Sequence, residues 1–98
     1  MADLSLHRNY TQIADSTTSG ATAATITAVA GAASYAYKIA GASAGTVPSF
    51  GDTVTGYTAI TAGTAKDIAT TNSYYIIFVA LDADGNVLAG VQKQAVIA

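Results

Sequence analysis

Tyr74-Tyr75-Ile76-Ile77-Phe78-Val79-Ala80-Leu81-Asp82-Ala83-Asp84-Gly85-Asn86 is the stretch that decides the fold class. Its first eight residues are all apolar or aromatic and rich in β-branched side chains. Such a run reads as a central strand buried on much of both faces. It stops at Asp82-Ala83-Asp84-Gly85-Asn86. There Gly85 supplies the positive φ of a tight hairpin, and the Asp and Asn side chains bond nearby amides. Residues 87–97 return as the last strand, bent or bulged near Gly90.

Upstream, shorter strands precede this hairpin. Tyr35, Tyr37 and Ile39 share a face at period two, which predicts a strand over residues 34–39. Residues 22–29 alternate Thr with small or branched apolar residues, placing Ala24, Ile26 and Ala28 on one face. Ala-rich text also suits a helix, but the recurring Thr residues and the closing Gly31 favour a strand. Gly41, Gly45 and Pro48 make residues 41–49 a loop, with Phe50 as its anchor. Residues 52–60 read as one or two short strands, and residues 65–70 pair again around Ile68. Residues 1–20 form an N-terminal arm or first strand, with residues 9–14 as the strand candidate and a polar Ser/Thr loop after it. Residues 21–98 are the domain proper. About seven short strands, a turn every 8–12 residues and no helical stripe predict an all-β, two-sheet sandwich or a small barrel.

Composition narrows the function. The 98 residues are 51% hydrophobic, enough for one packed core. Only 10% are charged, against about 25% in an ordinary domain. Glu is absent, the six acids are all Asp, and the net charge is −2. Four scattered cations form no stripe that neutralises phosphates, so nucleic acid is not an expected partner. A charge-poor surface of Ala, Thr, Gly and Ser fits either burial in a larger assembly or an ordinary Ala/Thr-rich domain. Without Cys there is no disulfide, thiolate ligand or Cys nucleophile. No basic segment leads into an apolar one at the start, so no signal peptide is read. No apolar run of about 18 residues suggests a membrane helix. A full-length product of this sequence would be made in a cytoplasm.

The hairpin stretch also carries a resemblance. Tyr74-x-Ile76-x-Phe78-x-Ala80 followed by Leu81-Asp82-Ala83-Asp84-Gly85-Asn86 resembles the penultimate strand and turn of fibronectin type III-like domains, within the wider immunoglobulin-like class. Ile68, six residues before Tyr74, resembles the start of their tyrosine corner, whose phenol bonds the upstream backbone. Gly31 to Tyr35 and Tyr37-x-Ile39 resemble their B–C loop and C strand. The likeness covers residues 21–98 and implies an immunoglobulin-like sandwich; it implies no function. Two departures stand out. The usual Trp of the second strand is missing, with Ala28 about where it would fall. Thr70-Thr71 replaces the usual Pro-Gly. Tyr35, Tyr37, Tyr57 and Phe78 are the expected substitutes in the core.

No constellation points to catalysis. His7 is the single histidine and lies in the arm, far from the rigid pocket a Ser–His–Asp triad requires. One His without Cys or Glu leaves transition metals without ligands. Asp82-x-Asp84-Gly85-Asn86 is similar to the opening of a calcium loop, but the bidentate Glu such loops need does not exist here. A plain hairpin turn is the favoured reading and weak calcium binding the minority one. No Gly-rich turn opens a helix to cradle phosphate, and no cofactor is expected. Asn9-Tyr10-Thr11 fits a glycosylation pattern by chance. Tyr57 and Tyr75 are candidates for stacking on sugar rings, with core or inter-sheet packing as the alternative. His7 and Arg8 are candidates for arm-mediated contact.

The expectation is therefore a non-enzymatic structural module. Cytoplasmic synthesis, a single domain and a docking arm suggest a virion surface protein, a phage capsid decoration or tail-associated subunit, with capsid or tail subunits as partners. An arm of this kind can add a strand to a neighbour's sheet edge. The alternative is an extracellular adhesion or carbohydrate-binding module of a larger secreted protein, with a glycan as ligand.

Overall fold

The computed structural model describes residues 11–15, as backbone, and residues 20–95. Seven strands follow one another: β1 (Thr11–Asp15), β2 (Ala21–Ile26), β3 (Ser34–Gly41), β4 (Thr58–Ile60), β5 (Lys66–Ala69), β6 (Tyr75–Leu81) and β7 (Val87–Gln94). They form two antiparallel sheets, ordered β1-β2-β5 and β4-β3-β6-β7. β6 is a central strand, paired with β3 on one side and β7 on the other. Its composition anticipates this, because a strand covered on both faces needs apolar side chains at every position.

Alternation along β6 sorts its side chains into two cores. Ile76, Phe78 and Ala80 face the other sheet and join Ala24 and Ile26 of β2, Ile60 of β4 and Ile68 of β5 in one buried cluster. Phe78 is fully buried, is the largest such side chain, and pairs directly with Tyr37, ring centroids 6.3 Å apart. Removing a ring so buried costs about 3–5 kcal/mol. Ile77 and Val79 face the other way, into a second cluster with Ala36 and Val87. A two-layer protein would leave that second face in water.

Several expectations shift by a few residues. β2 ends at Ile26, so Ala28 is exposed and lies outside the core. Residues 52–60 hold only β4 and an isolated bridge between Thr53 and Asn86. β7 is irregular where predicted to be, but not at Gly90. Leu81 pairs with Val87 and Ala80 with Ala89, so the extra residue is Leu88, while Gly90 sits in regular register opposite Val79. Part of the predicted arm is sheet: β1 pairs with β2 from Thr11↔Ile26 to Asp15↔Thr22. His7 and Arg8 lie outside the described residues.

A phenol does bond back to the backbone six residues upstream, and it belongs to Tyr35. The Val29 amide donates to Tyr35 Oη at 2.8 Å. This pins the loop after β2, which no longer has a sheet partner, onto β3. Tyr74 is half-buried just before β6. Its amide donates to the Thr71 carbonyl and its carbonyl accepts from Ala95, at 3.0 and 2.7 Å. The described hydrogen bonds of Tyr74 are thus backbone bonds, which tie the start of β6 to the end of β7.

Candidate interaction surfaces

The second apolar face is covered by the connection between β3 and β4. Residues 42–57 cross it as a strap, and Val47, Val54 and Tyr57 pack onto Ala36, Ile77, Val79 and Val87. Two glycines make the close approach possible. A Cβ on Gly90 would lie 2.8 Å from Val47 Cγ1, and a Cβ on Gly45 would lie 3.1 Å from both Ala40 Cβ and Ile77 Cδ1. The Gln92 side chain clamps the strap: its Oε1 accepts from the Gly45 amide at 2.7 Å and its Nε2 donates to the Gly45 carbonyl at 3.1 Å. Further along, the Gly51 amide donates to the Val87 carbonyl and the Val87 amide to the Asp52 carbonyl, both at 2.8 Å. The strap thereby occupies the backbone groups at the start of edge strand β7, a common protection against stray strand pairing.

This arrangement decides where Tyr57 and Tyr75 sit. Tyr57 is half-buried on the second cluster, and Lys38 Nζ stands 5.9 Å from its ring centroid. Burial pushes the Tyr57 phenol above the ordinary tyrosine value. The ring anchors the strap and carries a cation–π contact. Tyr75 is half-buried at the first position of β6, on the strap side by alternation, between Gly41 of β3 and Gln94 of β7.

The two turns at the far end of the sheet are tightly built. Asp82 Oδ1 accepts from the amides of Asp84 and Asn86, both at 2.9 Å, and Gly85 adopts φ 83° after a turn closed by its amide on the Asp82 carbonyl. One carboxylate oxygen of Asp82 thus holds the backbone of the turn. Among the described residues no group of three or more His, Cys, Asp or Glu converges. In the neighbouring strap turn, Asp52 Oδ2 accepts from the Ser49 amide at 2.8 Å, and the Asp52 amide donates to the Ser49 carbonyl at 3.0 Å. Phe50, at the tip of that turn, is 59% exposed. The loop anchor expected from sequence therefore points into solvent, and the anchors are Val47, Val54 and Tyr57.

A shallow open depression lies beside β4 and β5, lined by Ala59, Ile60, Thr64 and Lys66. Thr61 and Asp67 complete its polar lining. What the described surface offers is contact area. The strap, the main feature sequence reasoning missed, left one usable signal. Valines interleaved with glycines in a long polar loop need something to pack on.

Two antiparallel sheets that offer contact surface among the described residues are a kind of domain found in structural proteins. Residues 15–95 match the family described as the S-layer protein SbsC C-terminal domain, and the chain belongs to that family. No curated protein and no solved structure matches the chain.

Proposed function

We propose that this chain is a non-enzymatic structural module of a cell-surface protein layer, working outside the cell and assembling with other surface-protein subunits. The family match over residues 15–95 carries this reading. It favours the extracellular alternative over the phage capsid or tail role expected from composition. The charge-poor surface that suggested a capsid suits any packed protein array equally, so composition alone could not separate the two.

The fold within this reading is an immunoglobulin-like, fibronectin type III-like sandwich. Its support is the strand order: first, second and fifth strands in one sheet, and the fourth, third, sixth and seventh in the other. That is a C-F-G sheet extended by a strand beside C, opposite an A-B-E sheet. Tyr75 and the arm residues His7 and Arg8 belong to the contact surface in this proposal, and Ile68 with Tyr74 frames the lower end of the core.

The test is recruitment. Purified chain should co-sediment with surface-layer sheets stripped from its source organism. Equal recovery from sheets and from sheet-free cell walls overturns the proposal.

A further inference from the structure

Bonds between the two sheets fix which of their ends lie together. At one end the Ala33 amide donates to the Leu81 carbonyl at 2.7 Å, and Tyr35 Oη accepts from the Val29 amide just after β2. These bonds join the Ile26 end of the first sheet to the Ser34–Leu81–Val87 end of the second. At the other end the Thr70 amide donates to the Gly20 carbonyl at 3.2 Å, just before β2. There the Tyr74 amide also donates to the Thr71 carbonyl and the Ser73 amide to the Ala95 carbonyl, both at 3.0 Å. The sheets thus share both ends, and their strands lie along a common axis. β1 begins at the first end, where Thr11 pairs with Ile26, and runs to Asp15 opposite Thr22. β7 also begins there, at Val87, and runs to Gln94 opposite Tyr75. The described residues therefore enter the fold at one end and leave it at the other, each time through an edge strand.

A pull on the two ends of this path acts along the strands. Bonds in an antiparallel ladder lie across the strands, so the pull slides β1 over β2 and β7 over β6. Every bond of a ladder is then strained at once. A pull directed across the strands at one end opens the pairs one after another. The two loaded ladders are unequal. β1 pairs with β2 at five positions, and among the described residues no strand pairs with its other side. β7 pairs with β6 at seven positions. It is tied further by the strap at Val87, by Ala95 to Ser73 and Tyr74, and by Gln94 Nε2, which donates to the Ser73 carbonyl at 3.1 Å. Under load, β1 yields first. Its release changes the geometry, because the load passes to Ala21, which pairs with Ala69 at the end where Ala95 leaves. The pull then crosses the strands and peels β2 from β5 and β7 from β6.

We infer that this domain is a load-bearing link of the surface layer and that the β1–β2 ladder is its mechanical latch. The fold resists an end-to-end pull while β1 is paired and opens in one event once β1 slides off. The place in a layer rests on the surface-assembly reading, whereas the latch rests on strand order and register alone.

The experiment is single-molecule force spectroscopy, with handles on introduced cysteines in a chain that has none of its own. Asn9→Cys with Ala98→Cys loads β1 along its length. Ser19→Cys with Ala98→Cys leaves β1 in place but delivers the load just before β2. Forced unfolding reads the barrier and not the equilibrium stability. Equal urea midpoints of the two double variants therefore show that they are folded alike, and Thr18→Cys replaces Ser19→Cys if that variant unfolds. Five pairs share the load in the first geometry and one bears it in the second, so the rupture force at fixed pulling speed should fall about twofold or more. Traces from the first geometry should show one rupture that frees the whole fold. Equal forces in the two geometries overturn the latch. A short first step followed by a stronger rupture also overturns it, because the barrier then lies in the remaining strands. Either result leaves recruitment to surface-layer sheets standing. A chain that shows the latch yet fails to co-sediment with those sheets overturns the surface reading and the load-bearing role, with the latch intact.

Discussion

Replacing Gly90 by Ala should destabilise the protein, although two general effects argue for the opposite. Gly90 is not among the positive-φ glycines, so Ala is conformationally allowed there. Removing a glycine from the unfolded chain ordinarily stabilises by about 0.4–1 kcal/mol. Ala also supplies a side chain to a strand interior. Against this, the new methyl would lie 2.8 Å from Val47 Cγ1 and 3.5 Å from the Pro48 carbonyl oxygen. Ordinary carbon contacts begin near 3.5 Å, so the strap must lift by several tenths of an ångström. Overpacking of this kind costs about 1–3 kcal/mol. The difference is a net loss of about 1 kcal/mol, equivalent to roughly 4–8 °C in Tm for a domain this size. Urea unfolding followed by circular dichroism measures it, with an unchanged m-value as the sign that both states keep their compactness. Val47→Ala removes the atom that is struck, so it should cost less in the Gly90→Ala background than alone, with a coupling of about 0.5 kcal/mol or more. A Gly90→Ala protein as stable as wild type, with no coupling to Val47, would refute the claim that the strap packs directly on β7.

Three further expectations follow from the bonds described. Tyr35→Phe orphans the Val29 amide and should lose about 1–2 kcal/mol in the same urea assay, whereas Tyr74→Phe should lose less. A Tyr74→Phe loss equal to or above that of Tyr35→Phe would reverse the assignment of the phenol–backbone bond. Gln92→Ala removes both bonds to Gly45, and hydrogen exchange of the Gly45 amide should accelerate at least tenfold, with the Phe78 amide unchanged. The Tyr57 phenol is held neutral by burial, so the folded state binds its proton more tightly than the unfolded state does. Stability is then complete below the ordinary tyrosine value and falls as pH rises through the raised folded value. Tyr57→Phe should flatten that alkaline decline; an identical decline in the variant would show that Tyr57 does not cause it.

How much of this was legible in the sequence depended on how local each signal is. The β6–β7 hairpin was fully legible, because Asp82, Gly85 and Asn86 satisfy their own backbone within five residues. The core face of β6 was legible too, since period-two alternation put Ile76, Phe78 and Ala80 together. The ends of β2 were not, because Thr27 and Ala28 suit a strand as well as Thr25 does, and what stops β2 is the loss of a partner strand. The bond from the Val29 amide to Tyr35 Oη was not legible for a similar reason. Both Ile68–Tyr74 and Val29–Tyr35 have the six-residue spacing, and only packing decides which phenol reaches an amide.

The sequence by itself determined the class of secondary structure, the central strand and its turn, and the poverty of charge. Those properties follow from local stereochemistry and from summed composition. Only the tertiary structure decided that residues 42–57 lie as a third layer on the outer face of β6. It also decided that Gly90 is bare for Val47 rather than for a bulge, and that Phe50 stands exposed. These depend on contacts between residues far apart in the chain, such as Gly45 and Gln92, 47 positions apart. Their formation depends on which chain segments reach the same sheet face, and no periodicity along the chain encodes that.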